Sequence, residues 1–159
     1  MLRIKKILAP TDLSELSEDG VRLALEIGKS QSAEVIIYHV VEPNGVFHNE
    51  LASYGELDRI KLIADGKRLL ATFVRDKFAE VAPEVKISQD VEVGTPYSKI
   101  LDRAAKEGVD LIVMSTHGKT GLLYCLIGSV AELVVRLAAC PVLSVQPRNR
   151  RRQTVTQAA

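Results

Sequence analysis

Three places in the chain carry residues able to do chemistry, and each follows a strand-like run. The first is Ala9-Pro10-Thr11-Asp12-Leu13-Ser14. The Asp12 carboxylate can accept hydrogen bonds from a ligand's hydroxyl or amino groups, or it can cap a following helix with Ser14. The second begins at Met114-Ser115-Thr116-His117-Gly118-Lys119 and resumes, with nine residues between Gly118 and Gly128, at Gly128-Ser129-Val130. Glycines let backbone N–H groups approach an anion closely, and a helix N-terminus adds a favourable dipole. Ser129 offers a hydroxyl there and Lys119 a point charge, although a turn-rich loop with Ser129 as a plain helix cap has the same composition. The third is Val93-Gly94, which reads most simply as a turn before Thr95-Pro96.

Other signatures fail on spacing. Gly118-Lys119-Thr120 imitates the end of a Walker A loop, but the leading glycine would fall at Val113, inside a strand. No Gly-x-Gly-x-x-Gly follows a strand, and no serine sits in a Gly-x-Ser-x-Gly elbow. His39, His48 and His117 lack metal-ligand spacing, and Cys125 and Cys140 form no Cys-x-x-Cys pair. No catalytic triad and no metal cage are expected. Asp12 and His117 are the only candidate general bases.

The elements that must position these residues follow from periodicity. Strands are expected at 3–9, 34–41, 85–93, 109–115 and 142–146. A helix capped by Ser14 or Ser17 presents Leu16, Gly20, Leu23, Ala24 and Ile27, and a second at 56–80 repeats Leu57, Ile60, Ala64, Leu70, Phe73, Val74 and Phe78. A third starts at Pro96 and closes at Gly108, and a fourth runs from Ser129 to Ala139. Residues 43–55 have the composition of a loop. The alternation predicts an α/β fold, a mostly parallel sheet with helices on both faces. Ligands in such folds bind beyond the carboxyl ends of the strands, where strand order reverses.

Length and composition agree with one domain. The chain has 159 residues, 47% hydrophobic and 26% charged, enough to bury a core without disulfides. No apolar run is long enough to span a bilayer, and Ile7-Leu8-Ala9 is too short for a signal-peptide core, so a cytoplasmic protein is expected. The formal charge is +1, but Arg148, Arg150, Arg151 and Arg152 lie in the last dozen residues; without those four the charge is −3. A mildly acidic body argues against nucleic acid as a partner. Residues 1–147 are expected to form the domain, with 148–159 a basic, flexible tail.

Together these segments resemble the universal stress protein family over residues 3–146. The most specific element is that family's nucleotide-binding motif, Gly-2x-Gly-9x-Gly-Ser/Thr, present here as Ser115-2x-Gly118-9x-Gly128-Ser129 with serine in the first place. The resemblance implies a three-layer, Rossmann-like α/β/α domain with five strands in the order 3-2-1-4-5. It also implies ATP or another adenine nucleotide at the switch point, with Mg2+ carried on the phosphates. Pro10, Thr11 and Asp12 would lie near adenine and ribose, and Val40 would line the adenine pocket. Gly118, Gly128, Ser129 and Val130 would hold the phosphates, while Val93, Gly94, Met114, Ser115, His117 and Lys119 complete the candidate set. A homodimer through Val142, Leu143, Ser144 and Val145 is implied as well, an exposed edge strand pairing with its symmetry mate. The function expected is that of a stress-response regulator switched by nucleotide. The alternatives are an interaction module without nucleotide, or a slow ATPase or autokinase.

Overall fold

In the computed structural model, which describes residues 3–43, 55–117 and 129–148, five strands form one all-parallel sheet in the order β3-β2-β1-β4-β5. The elements are β1 (Lys6–Thr11), α1 (Glu15–Gln31), β2 (Glu34–Val41), α2 (Glu56–Phe78), a 3-10 turn (Ala82–Glu84), β3 (Ile87–Val93), α3 (Pro96–Glu107), β4 (Leu111–Ser115), α4 (Ser129–Leu137) and β5 (Val142–Val145). This is the expected three-layer α/β/α architecture, and the strand order reverses between β1 and β4.

The pleat sorts the core into two layers. Ile7, Ala9, Val35, Ile37, Leu111 and Val113 cluster with Val21, Leu25, Leu70, Phe73 and Phe78 from α1 and α2. Leu8, Ile36, Tyr38, Ile112 and Met114 cluster with Ile100, Ala104, Ala131 and Val134 from α3 and α4. Near-continuous apolar strands are what a parallel sheet covered on both faces requires. At the sheet's other end the Asp110 carboxylate accepts the backbone N–H groups of Lys5 (2.8 Å) and Lys6 (3.0 Å), which ties the entry of β1 to β4 and holds that carboxyl below its usual range.

One strand end and two helix faces differ from expectation, each for a local reason. β1 continues through Pro10 and Thr11, expected beyond its end. Proline is a poor central-strand residue because it cannot donate to the ladder. Here, however, β1 stays paired with β2 as far as Thr11 while its pairing with β4 ends at Leu8, so Pro10 sits where the sheet has parted. Of the expected α1 stripe Gly20 and Ala24 are buried, whereas Leu16, Leu23 and Ile27 are only partly so; Ser17, Val21, Leu25 and Gly28 complete the inward face. Two glycines and a serine mark the true face because the backbone of α1 lies almost against the sheet. On α2 the buried set is Gly66, Leu70, Phe73, Val74 and Phe78, whereas Leu57 and Ile60 are 80% and 57% exposed. The loop reading of 43–55 and the tail reading of 148–159 fall almost entirely outside the described residues.

Candidate nucleotide site at the sheet switch point

The parting of β1 from β4 opens a cavity of about 590 Å³ at the carboxyl ends of the central strands. Of the expected site residues, Pro10, Thr11, Asp12, Val40, Met114, Ser115, His117, Ser129 and Val130 all line it. Val93 and Gly94 end β3, with Gly94 donating its N–H to the Val41 carbonyl (3.1 Å) and packing on Lys99; neither is among the lining residues. Gly118, Lys119 and Gly128 lie outside the described residues. A second recess, about 320 Å³, is walled by Glu15, Glu18, Asp19, Lys77 and Arg148, and both of its cations are paired within it (Lys77–Glu18 2.8 Å, Arg148–Asp19 3.4 Å).

The β1 wall is a tight, hydrogen-bonded turn. Asp12 Oδ1 accepts from the Ser14 N–H (3.1 Å) and hydroxyl (2.5 Å), and the Leu13 N–H donates to Thr11 Oγ1 (3.0 Å). Leu13 is left-handed (φ 64°), a conformation costing a leucine roughly 1 kcal/mol or more, which the turn must hold in place. Asp12 thus orders the entry to α1 through Ser14 and lines the cavity, without a side-chain hydrogen bond that caps the helix itself. Ser14 is the residue before α1, and Ser17 instead pairs with Thr11 Oγ1 at 2.7 Å inside the buried layer.

The floor comes from β2 and β4. Tyr38 is fully buried, its ring under the Arg103 guanidinium (5.4 Å) and its hydroxyl 3.5 Å from the Lys99 carbonyl; burial pushes the phenol's pKa up, so it stays neutral. His39 is buried with Nδ1 2.9 Å from the Thr11 carbonyl, and His117 is buried with Nδ1 2.8 Å from Thr116 Oγ1.

Ser115, in the place where the motif has glycine, keeps a backbone that does not require glycine, since the positive-φ residues other than glycine among those described are Leu13 and Ser32. Its hydroxyl accepts the Gly20 N–H (3.0 Å), on the α1 side of the sheet. The substitution thus ties β4 to α1.

The far wall is the start of α4, where Ser129, Val130 and Ala131 face the cavity. The opposite side comes from α2, through Leu62, Asp65, Gly66 and Leu69. Sequence reasoning missed this α2 contribution, and also Ser17, Tyr38, His39, Val41, Glu42, Pro96, Ile100, Thr116 and Ala131. Of these, His39 had a visible signal: a histidine inside the otherwise apolar run Val35–Val41.

Comparison with known proteins places this geometry. The model of the universal stress protein family matches residues 3–146. Universal stress protein MJ0531 of Methanocaldococcus jannaschii is 39% identical over 144 residues, covering 89% of this chain and 82% of its own. The solved structure of MJ0577, from the same organism, superposes with a TM-score of 0.71 at 32% identity, over 93% of this chain and 99% of the other. A universal stress protein solved in complex with cAMP shares the fold at 21% identity, with a TM-score of 0.68 over 92% of this chain and 99% of that one. Strand order, the spaced glycine–serine motif and these matches agree along nearly the whole length, and the chain belongs to the universal stress protein family.

Proposed function

We propose that this protein binds an adenine nucleotide, ATP with Mg2+ on its phosphates, in the switch-point cavity, and that the bound nucleotide sets the conformation or partner choice of a cytoplasmic homodimer. One observation carries the reading. Nine of the expected contact residues, spread from Pro10 to Val130, line a single cavity that ends at the start of a helix. A helix N-terminus is a natural phosphate site, since its first N–H groups are unpaired and its dipole is positive there. The cAMP complex of a protein with the same fold supports a nucleotide as the ligand.

Binding is favoured over turnover. The two candidate bases are engaged within the protein, Asp12 with Ser14 and His117 with Thr116, in roles that order the walls. Among the described residues no group of three or more His, Cys, Asp or Glu side chains is placed to hold a metal ion. Mg2+ would be held by the phosphates, where its chemistry is to neutralise their charge.

The direct test is to denature the purified protein, identify any released nucleotide, and titrate the nucleotide-free protein with Mg2+-ATP by calorimetry. Adenine nucleotide in the supernatant, or saturable one-site binding, is the expected result. Neither nucleotide nor heat of binding would overturn the reading and leave the nucleotide-free interaction module.

The dimer reading rests on β5. Its partner β4 covers one edge, as shown by the Thr116 N–H donating to the Val145 carbonyl (2.8 Å). Backbone N–H and C=O groups of successive residues point to opposite edges of a strand, so those of Val145 point to β4 and those of Ser144 to the open edge. Leu143, Val135 and Leu137 beside it are exposed large apolar residues. Ser144→Pro removes an outward N–H without touching the bonds to β4, and sedimentation should then show a monomer. A dimer that persists would place the interface elsewhere.

A further inference from the structure

The cavity wall supplied by α2 lies outside the glycine motif, and it carries a carboxylate between two leucines. Leu62, Asp65 and Leu69 are spaced three and four apart and line the cavity together, an apolar–carboxylate–apolar stripe on one helix face. Gly66 fixes how closely that stripe approaches. A Cβ there would stand 2.7 Å from Val91 Cγ1 and 3.0 Å from Val41 Cγ2, so only glycine lets α2 sit this near β2 and β3. Arg68 engages Asp65 Oδ1, which orients the carboxylate and leaves Oδ2 to accept a donor.

Charge sets which end of a ligand meets this wall. The lining carboxylates are Asp12, Glu42 and Asp65, and no Lys or Arg is among the described lining residues. Glu42 repels a phosphate from this side, where the Asp65 charge is already paired with Arg68, and the start of α4 attracts it. The α2 wall therefore meets the uncharged end of the ligand. Two leucines suit the face of a flat ring, and a carboxylate between them accepts an N–H or O–H at the ring's or sugar's edge.

From this stripe we infer that Asp65 is a specificity-determining residue of the site, reading a hydrogen-bond donor on the nucleoside end of the ligand. The inference rests on the nucleotide reading above. The donor is either the exocyclic amino group of the base or a sugar hydroxyl, and both present the same chemistry to Oδ2.

Calorimetry of wild type, Asp65→Ala and Asp65→Asn against ATP, ITP, 2′-deoxy-ATP and 3′-deoxy-ATP separates the sources. Asp65→Ala should weaken ATP binding about tenfold, as expected for one hydrogen bond to a charged acceptor. One analogue, the one lacking the donor that Asp65 reads, should bind wild type about tenfold more weakly than ATP and bind Asp65→Ala no more weakly than ATP. That collapse of discrimination is a readout that a structural role would not move. ITP collapsing identifies the amino group, and a deoxy analogue identifies the hydroxyl. Asp65→Asn, which keeps shape and one acceptor, should fall between the two. Unchanged ATP affinity in Asp65→Ala, or identical discrimination in both proteins, overturns the inference while the nucleotide reading stands. A wild type that binds none of the four overturns that reading itself. Asp65 is exposed on a surface helix, so the melting temperatures of the variants should match wild type.

Discussion

Ser129→Asp is expected to cut nucleotide affinity at least a hundredfold while leaving the melting temperature unchanged or slightly raised. The two effects have one origin. Ser129 is the first residue of α4 and lines the cavity, so its side chain occupies the place where the helix dipole is positive and a phosphate would sit. An aspartate there satisfies the dipole from within, worth about 0.3–1 kcal/mol to the helix. The same carboxylate repels a phosphate: two unit charges about 4 Å apart interact by roughly 4 kcal/mol at an effective dielectric of 20. Each 1.4 kcal/mol is about tenfold in affinity, so a hundredfold loss is a conservative floor. Ser129→Ala removes only the hydroxyl and should cost about tenfold or less. Calorimetry for binding and thermal melting for stability read the two effects independently. Equal ATP affinity in wild type and Ser129→Asp would move the phosphates away from α4, and lost affinity with a collapsed melting temperature would mean that the fold was damaged instead.

Such a variant can be chosen because the strand-end residues were legible in the chain. β2 and β4 are runs of β-branched and aliphatic residues that must be buried on both faces, and the residues just past β1 and β4 are then brought together by the reversal of strand order. The helices were harder to read, for a physical reason. Periodicity weights large apolar side chains; on α1 it includes Gly20 but passes over Ser17 and Gly28, whose value lies in having almost no side chain. On α2 the stripe expected through Leu57, Ile60 and Ala64 is exposed, and the residues facing the cavity include a charged one, Asp65. A carboxylate on a cavity wall looks, in sequence, like any solvated helix position. Pro10 misled in the opposite sense: proline usually ends a strand, and only the early end of the β1–β4 pairing lets it remain in one.

Gly20 shows most sharply how a small residue can dominate. A Cβ at this position would stand 2.5 Å from the Ser115 amide nitrogen and 2.8 Å from the Met114 carbonyl carbon. Both are backbone atoms of β4, held by their neighbours in the sheet, so neither can swing aside as a side chain would. Gly20→Ala gains about 1 kcal/mol of helix propensity, yet must separate α1 from β4, and overpacking of that kind costs about 1–3 kcal/mol. Gly20→Val adds two more carbons and a stiff χ1, so it should destabilise by about 3 kcal/mol or more. In a domain of this size that lowers the melting temperature by roughly 6–12 °C. Ser115→Gly discriminates the cause. It removes the hydroxyl, which is the 3.0 Å neighbour and the acceptor of the Gly20 N–H, but leaves the 2.5 and 2.8 Å backbone contacts in place. The double variant Gly20→Ala, Ser115→Gly should therefore be no more stable than Gly20→Ala alone. Recovery in the double variant would show that the serine hydroxyl, rather than the strand backbone, sets the approach of α1.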